Sequence, residues 1–505
     1  MPAALAATDP TSPLQQPTTR RAFVCRCGQP VFFRNSQCVV CKTPLGYDPD
    51  VALLLPLDAA DGGSGPWHAV GPAAEADPAL AARRYRRCAN FDNAAGCNWL
   101  LPDPADDEAP EAGHPGDAQA ANAEPAAGAA PKDGLVGAAP PAPPRGAAPA
   151  TTMAPPRRAE ASPATSGLSQ SLQSPVGAAA SGVASAAPAA AEPAPTGAAP
   201  RQPLCRACRL NRTIPDQTVE ENRRWWAEIE RAKRRLVSSL IALRLPVASR
   251  VSEDPTRGLA FDLLRAPPGG PPVTTGHADG IITLDIEEAD DSRREGRKAA
   301  LREPYRTLLG HLRHEVGHYY WQRLVDGTPW LEPFRALFGD ERADYAAALQ
   351  RHYEQGPPTE WPLSHVSAYA SAHPWEDWAE TWAHYLHMLD TLDTAASFGL
   401  DAAQVELGYE PFTPPVLTSP GPGAADAPRA RSVPAPDAAG RTDEDFLEFV
   451  NAWMKLTGVL NEMSRSMGLP DFYPFVLSVA AVRKLHLVHR VVSEARAAPQ
   501  AADAA

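Results

Sequence analysis

One long stretch of the chain lacks aromatic residues altogether. Residues 101–200 contain 33 Ala, 19 Pro and 10 Gly but no Phe, Trp or Tyr. A segment of this composition cannot bury enough apolar surface to offset the conformational entropy lost on ordering. We therefore predict a long disordered insert at 103–200. A second segment rich in Pro and Gly, at 416–441, predicts a flexible linker or loop.

Signals for export and membrane insertion are also missing from the sequence. The N-terminus has no basic start followed by an apolar core, which a secretory signal needs. No run reaches the roughly 18 consecutive apolar residues of a membrane span. We therefore expect a cytoplasmic location and no membrane partner.

Basic residues are also fewer than acidic residues. The chain has 47 Lys and Arg against 60 Asp and Glu, a formal net charge of −13, which disfavours non-specific binding to nucleic acid. Residues 201–250 differ, because they hold 12 Lys or Arg and 5 Asp or Glu. An anionic partner that binds this basic segment is therefore a further prediction.

Eight cysteines need an explanation other than disulfides, because thiols in the cytoplasm are kept reduced. Cys25-x-Cys27 is followed, after ten residues, by Cys38-x-x-Cys41. Close pairs of this kind form hairpin knuckles, and two knuckles supply four thiolates to a tetrahedral ion. We predict a structural zinc at these four residues. An iron of the rubredoxin type is the main alternative.

The other four cysteines form two pairs that lie far apart in the sequence. Cys88 and Cys97 are separated by 107 residues from Cys205-x-x-Cys208. Closing a longer loop costs only about 0.6 kcal/mol per doubling of its length, which zinc binding easily offsets. We predict a second structural zinc that the insert interrupts; two unrelated pairs of free thiols are the alternative. Several arginines flank these cysteines and are expected to balance the thiolate charge: Arg83, Arg84, Arg86, Arg87, Arg206, Arg209 and Arg212.

The sequence His314-Glu315-Val316-Gly317-His318 is an HExxH motif within a helical pattern of apolar residues. Residues four apart on a helix share one face, so both imidazoles can reach one zinc ion. Glu315 lies beside the metal and is predicted to take a proton from the attacking water. Gly317 is expected to let another backbone approach closely.

A catalytic zinc needs a third protein ligand and one open position. We predict that Glu376 is this ligand, on a helix that starts at Pro374, and that Glu380, one turn later, accepts a hydrogen bond from a ligand histidine. An exposed helix charge is the alternative for Glu380. Three other side chains remain candidates for the third ligand: His373, Asp377 and His384.

Two further segments bear on the site. Tyr369, seven residues before Glu376, is a candidate donor to the oxyanion of a tetrahedral intermediate; packing is the alternative. The acidic stretch from Gly339 to Tyr345 predicts a capped helix start rather than a second metal site.

These motifs resemble those of a known family. The segments RCGQPVFFRNSQCVVC, CRACRLNRTIPD, EPYRTLLGHLRHEVGHYYW, FGDERADYAAAL and SAYASAHPWEDWAETWAHYLH are similar to the zinc-binding metallopeptidases of bacteria, which join an N-terminal zinc ribbon to a peptidase-like domain. The resemblance covers about 21–100, 201–412 and 442–490, and leaves 103–200 as an insertion. Glu376-x-x-x-Glu380 after HExxH also resembles the gluzincin arrangement.

The patterns and the resemblance together predict an α+β protein that binds one catalytic and two structural zinc ions and cleaves a peptide or protein substrate. Strand-like runs at 258–264 and 280–288 predict a small antiparallel sheet within a mostly helical, zincin-like domain. The strand at 280–288 is expected to pair with an extended substrate. The predicted domains are a zinc ribbon (21–102 and 201–216) around the insert (103–200), a metallopeptidase domain (217–415), the linker (416–441) and a C-terminal helical region that packs on the peptidase domain (442–496).

A different class of function stays open. The ribbon and the basic segment fit a catalytically inactive protein that binds nucleic acid or protein and uses the peptidase fold as a scaffold. A protease recruited to DNA-bound proteins, as SprT-like enzymes are, is a third possibility. The intact Glu315 favours an enzyme, because a scaffold does not need this residue.

Overall fold

The computed structural model of the protein describes residues 19–59, 65–103, 203–301, 306–406, 412–418 and 439–497, which fall in one compact unit. The predicted insert, apart from residue 103, lies outside the described residues. Residues 419–438 of the predicted linker also lie outside them.

The N-terminal part is built from short strands. Strands β1 (Ala22–Val24) and β2 (Pro30–Phe32) form an antiparallel hairpin, and the turn between them carries Cys25 and Cys27. A five-stranded antiparallel sheet follows in the order β3-β4-β5-β6-β7. Its apolar face packs against two short helices. The elements are β3 (Leu45–Asp48), β4 (Leu53–Ala59), β5 (Trp67–Ala69), α1 (Pro72–Ala76), α2 (Pro78–Ala82), β6 (Arg84–Arg87) and β7 (Leu100–Pro102).

The second sheet lies in the peptidase region and is mixed. Its order is β10-β11-β9-β8, with β8 and β11 both parallel to β9, and β10 antiparallel to β11. The predicted antiparallel pairing is therefore wrong for two of three contacts. Helix α3 connects β8 to β9 as a crossover, which returns the chain in the same direction. The elements are β8 (Asn211–Thr213), α3 (Glu220–Ala242), β9 (Ala260–Leu264), β10 (Gly276–Ala278) and β11 (Ile281–Asp285).

Helices make up most of the remaining chain. Pro374 is the first residue of the long helix α8, as predicted, and the predicted C-terminal helical region consists of two helices, α10 and α11. No helix among the described residues is long and apolar enough to cross a membrane. The helices are α4 (Asp291–Leu301), α5 (Leu308–Leu324), α6 (Leu331–Phe338), α7 (Tyr345–Gln355), α8 (Pro374–Ser397), α9 (Pro415–Thr418), α10 (Ala439–Ser466) and α11 (Val479–Ala497).

Helices α5 and α8 pack in close contact at Gly317. A Cβ atom at this position would lie 3.0 Å from Ala379 Cα and 3.3 Å from its carbonyl oxygen. The expectation that Gly317 admits another backbone is confirmed. Trp378 Nε1 donates to Gly317 O at 3.0 Å, and Tyr320 stacks on Trp382 with ring centroids 4.9 Å apart. The interface is therefore held by aromatic packing around one point of backbone contact.

A buried cluster of ion pairs connects Arg21, which precedes β1, to these two helices and to α3. The Asp390 carboxylate on α8 accepts hydrogen bonds from Arg21 at 2.8 Å, from Arg235 of α3 at 2.5 Å and from Arg313 of α5 at 2.6 Å. Burial raises the pKa of Asp390, but the three guanidinium groups more than offset this and hold it well below its usual value.

We predict that Gly317→Leu destabilises the protein. Replacing glycine within a helix gains up to about 1 kcal/mol of helix propensity. The added side chain must displace the backbone of α8, and overpacking of this kind costs about 1–3 kcal/mol or more. Denaturant unfolding should therefore show a lower free energy of unfolding, together with zinc loss from the site that the two helices share.

Gly296→Leu is the matched control. Gly296 is also helical, but a Cβ there meets nothing within 4 Å. This substitution should raise the free energy of unfolding by about 0.5–1 kcal/mol. Equal stability of the Gly317→Leu variant and the wild type would contradict close packing at this point.

Candidate metal centre

Three predicted ligands come together between α5 and α8. His314 Nε2 lies 3.0 Å from Glu376 Oε2, and His318 Nε2 lies 3.6 Å from Glu376 Oε1. The two imidazole rings, one helical turn apart, have centroids separated by 5.0 Å. All three side chains are buried.

The donor set fits a zinc ion. One ligand atom from each residue lies within 4.8 Å of the other two. The buried Oε2 of Glu376 makes no hydrogen bond of normal geometry within the described chain, although His314 Nε2 is 3.0 Å away. Two imidazole nitrogens and one carboxylate oxygen leave a fourth tetrahedral position open, as catalytic zinc sites require. Burial raises the pKa of Glu376, but His318 and His314 more than offset this and hold it well below its usual value.

Glu380 orients one of these imidazoles. Its Oε1 accepts from His314 Nδ1 at 2.8 Å, and its Oε2 accepts from the Ser367 hydroxyl at 2.6 Å. With the proton on Nδ1, the lone pair of Nε2 is available to a metal. Burial raises the pKa of Glu380, but the hydrogen bond from His314 lowers it to about 2 overall. Glu380 is therefore not an exposed helix charge.

Glu315 projects from the same helix and stays outside the ligand group. Its carboxylate is buried, and His311 Nε2 lies 3.2 Å from its Oε1. Burial raises the pKa of Glu315, but the hydrogen bond and charge of His311 more than offset this and lower it. A carboxylate that is ionised beside the metal position suits a proton acceptor.

The three other candidates for the third ligand are engaged elsewhere. His373 caps helix α8, where its Nδ1 accepts from Trp375 N at 3.1 Å. Asp377 accepts from Lys484 Nζ at 2.5 Å, and His384 Nδ1 lies 2.5 Å from the Tyr473 hydroxyl. None of these three belongs to the ligand group that His314, His318 and Glu376 form.

Two tyrosines lie near the site, and only one was a predicted residue. The Tyr369 ring lies 5.9 Å from the His314 ring, between centroids. The Tyr345 hydroxyl donates to Glu376 Oε1 at 2.6 Å. Asp344 caps helix α7 by accepting from Ala347 N, so the acidic stretch is a capped helix start, as predicted. No local pattern in the sequence indicates this role for Tyr345, because only tertiary packing brings α7 to Glu376.

The first four cysteines form one cluster of sulfur atoms. Cys25 Sγ lies 3.5 Å from Cys41 Sγ, and Cys27 Sγ lies 3.8 Å from Cys38 Sγ. The backbone N–H groups of Cys41 and Val40 point at Cys38, where they lower the pKa of the thiol. This is the knuckle geometry of thiolate zinc sites.

The other four cysteines also come together, although the insert separates the two pairs. The ligand atoms of Cys88, Cys97, Cys205 and Cys208 lie within 4.8 Å of one another, and all four residues are buried. Cys97 Sγ lies 3.6 Å from Cys205 Sγ, and Cys205 N donates to Cys88 Sγ at 3.4 Å. Such a donor set again fits zinc.

The arginines flanking these cysteines mostly contact carboxylates. Arg206 pairs with Asp50 at 3.2 Å and Arg209 with Glu253 at 2.6 Å. The arginine beside the second cluster is Arg234 of α3, which the sequence analysis did not single out. Burial lowers its pKa, but Cys97 and other neighbours more than offset this and raise it.

Seven basic residues of the segment 201–250 form ion pairs with the described part of the chain. Three basic residues of α3 pair with an acidic residue one turn earlier on the same helix, and the other four pair with acidic residues outside the segment. The ion pairs are Arg206–Asp50, Arg209–Glu253, Arg212–Asp262, Arg223–Glu220, Arg231–Glu228, Lys233–Glu230 and Arg235–Asp390.

Comparison with known proteins agrees with this architecture. A family model described as "Putative zinc-binding metallo-peptidase" matches residues 222–491, and a zinc-ribbon domain model matches residues 22–114. Uncharacterized proteins of Mycobacterium tuberculosis and Mycobacterium bovis are 44% identical to the chain over 292 residues, which is 58% of this chain and 76% of each relative. No solved structure matches the chain significantly. The protein thus belongs to this zinc-binding metallopeptidase family and carries an N-terminal zinc-ribbon domain.

Proposed function

We propose that the protein hydrolyses peptide bonds, with a zinc ion held by His314, His318 and Glu376. The observation that supports this most is the convergence of two Nε2 atoms and one carboxylate on a single position, with Glu315 next to them on the same helix. A zinc ion bound there would polarise the substrate carbonyl and lower the pKa of a water molecule.

Glu315 is the proposed general base. Its ionised carboxylate takes the proton of the attacking water and later returns it to the leaving amine. His314 keeps its Nε2 free for the metal because Glu380 holds its Nδ1 proton. We keep the oxyanion role for Tyr369, because its ring lies 5.9 Å from the His314 ring between centroids and a phenol carries a proton to donate at neutral pH.

The strand at which a substrate can pair is not the predicted one. The expectation that 280–288 pairs with a substrate is wrong, because β11 already has β10 on one side and β9 on the other. Within the described residues, strand β10 forms one edge of this sheet and β8 forms the other. His277 of β10 lies 6.3 Å from His318, between ring centroids. We propose that an extended peptide adds to β10 and passes the metal position.

The alternative is a protein that binds nucleic acid or protein and has no peptidase activity. Its support in the sequence was the ribbon and the basic segment, and the ion pairs that basic residues of that segment form with the rest of the chain weaken the second of these. An anionic partner for residues 201–250 stays a prediction. A cytoplasmic location also stays our proposal; the two clusters of free thiols suit a reducing compartment.

We predict three zinc ions per chain, one for each ligand group. Cys25→Ser should lower the zinc content by one and leave the peptidase region folded. Cys205→Ser should also lower it by one, with a larger fall in melting temperature, because all four cysteines of the second cluster are buried and they join segments on both sides of the insert, whereas Cys27 and Cys41 of the first cluster are exposed. Metal analysis with thermal unfolding checks both. Two zinc ions in the wild type would contradict the interrupted second site.

Substitutions of the three glutamates should separate their roles. Glu376→Gln should lose both the catalytic zinc and activity on a peptide library. Glu315→Gln should keep the zinc and lose turnover, with substrate binding preserved. Glu380→Gln should weaken zinc affinity by about 10–100-fold, since it removes the charge that orients His314. Metal analysis, zinc titration and peptide cleavage distinguish the three.

Two outcomes would contradict parts of this proposal. Full zinc occupancy and activity in Glu376→Gln would show that another residue is the third ligand. A wild-type protein with full zinc that cuts no peptide would favour the binding function.

The two tyrosines should also differ. Tyr345→Phe removes a donor to Glu376 and should weaken zinc affinity roughly 10-fold. Tyr369→Phe should keep the zinc and lower kcat about 10–1,000-fold, because one oxyanion donor is lost. Zinc titration and steady-state kinetics measure these effects. An unchanged kcat in Tyr369→Phe would contradict the oxyanion role and show that Tyr369 serves in packing.

A further inference from the structure

A histidine outside the HExxH motif links the proposed base to the sheet. His311 lies one helical turn before Glu315 on α5. Its Nε2 is 3.2 Å from Glu315 Oε1, and its Nδ1 is 2.5 Å from Glu288 Oε2. The imidazole therefore bridges two carboxylates, both of them buried.

The bridge requires protons on both ring nitrogens. An ionised carboxylate only accepts hydrogen bonds, so each nitrogen of His311 that faces one must donate, and the ring carries a positive charge. The positive ring is thus balanced by charges on both sides.

Glu288 is itself anchored. It lies in the short helical turn Ile286–Ala289, directly after strand β11. The Thr275 hydroxyl donates to Glu288 Oε1 at 2.9 Å, and Arg306 Nη2 lies 4.0 Å from the same oxygen. The chain of contacts therefore starts at the sheet and ends at Glu315.

We propose that His311, held by Glu288, is a positioning residue that fixes the carboxylate of Glu315. This inference rests on the proposed function. The hydrogen bond engages Oε1 and restricts the Glu315 side chain, which leaves Oε2 for the proton of the attacking water. A base held in one orientation does not need to be reoriented in the transition state, and this lowers the barrier for proton transfer.

Two amide substitutions, whose side chains differ by one methylene group, separate the contact with Glu315 from the contact with Glu288. The amide nitrogen of His311→Gln can reach the position of Nε2, so it keeps a donor to Glu315. The shorter His311→Asn keeps a donor at the position of Nδ1, toward Glu288, and loses the one to Glu315. A hydrogen bond to a charged group corresponds to about 10–100-fold in rate. We expect kcat of His311→Asn to fall by that factor relative to His311→Gln, with KM similar in both.

Controls distinguish positioning from general damage. His486→Gln removes a histidine whose Nε2 lies 2.8 Å from Asp443 Oδ1, far from the HExxH helix in the chain, and should leave kcat unchanged. All His311 variants should keep the zinc content of the wild type, because His311 is not in the ligand group. Equal kcat values for His311→Gln and His311→Asn would overturn the proposal.

Nuclear magnetic resonance of zinc-loaded protein with ¹⁵N-labelled histidine gives a readout that needs no activity. His311 should show two N–H signals, and Glu315→Ala should shift the Nε2 signal more than the Nδ1 signal. A single N–H signal, or no response to Glu315→Ala, would overturn the proposal. If the wild type cuts no peptide, the proposed function fails, and this measurement alone decides whether His311 holds Glu315.

Discussion

The close contact between Gly317 and Ala379 is the constraint on which the metal centre depends. It sets the distance between α5 and α8, and a side chain at Gly317 would push the helices apart. At this separation Glu376 reaches the Nε2 side of the imidazoles, while Glu380, one turn later, reaches His314 Nδ1. A single pair of helices therefore supplies both the ligands and the residue that orients one of them.

Helix α8 connects the other elements through its buried polar groups. Asp377 binds Lys484 of α11, and His384 contacts Tyr473 before that helix. Further along the same helix, Asp390 forms ion pairs with three arginines: Arg21, which precedes β1, Arg235 of α3 and Arg313 of α5. Removing one partner from a buried ion pair leaves an uncompensated charge, which is strongly destabilising. These groups therefore restrict how the surrounding elements can pack on the site.

The zinc ribbon is part of the same hydrophobic core as the peptidase region. Phe23 and Trp99 belong to one cluster of buried residues with Trp226 of α3 and Trp382 of α8. Arg234 of α3 donates to Ala95 O at 2.9 Å, next to the second cysteine cluster. The two halves of that cluster meet because this core brings them together, and the length of the insert has little effect on the cost of closing the loop.

Local patterns in the sequence determined much of this protein. The HExxH spacing, the cysteine pairs and Pro374 depend only on neighbours within a few residues, so the helices α5 and α8 and the knuckles were predictable. Strand direction in the second sheet was not, because a crossover such as α3 fixes it. Tyr345 and the Glu288–His311 contact likewise join residues that are distant in the chain. Only tertiary packing decides which distant side chains meet, since periodicity reports the face of an element and not its partner.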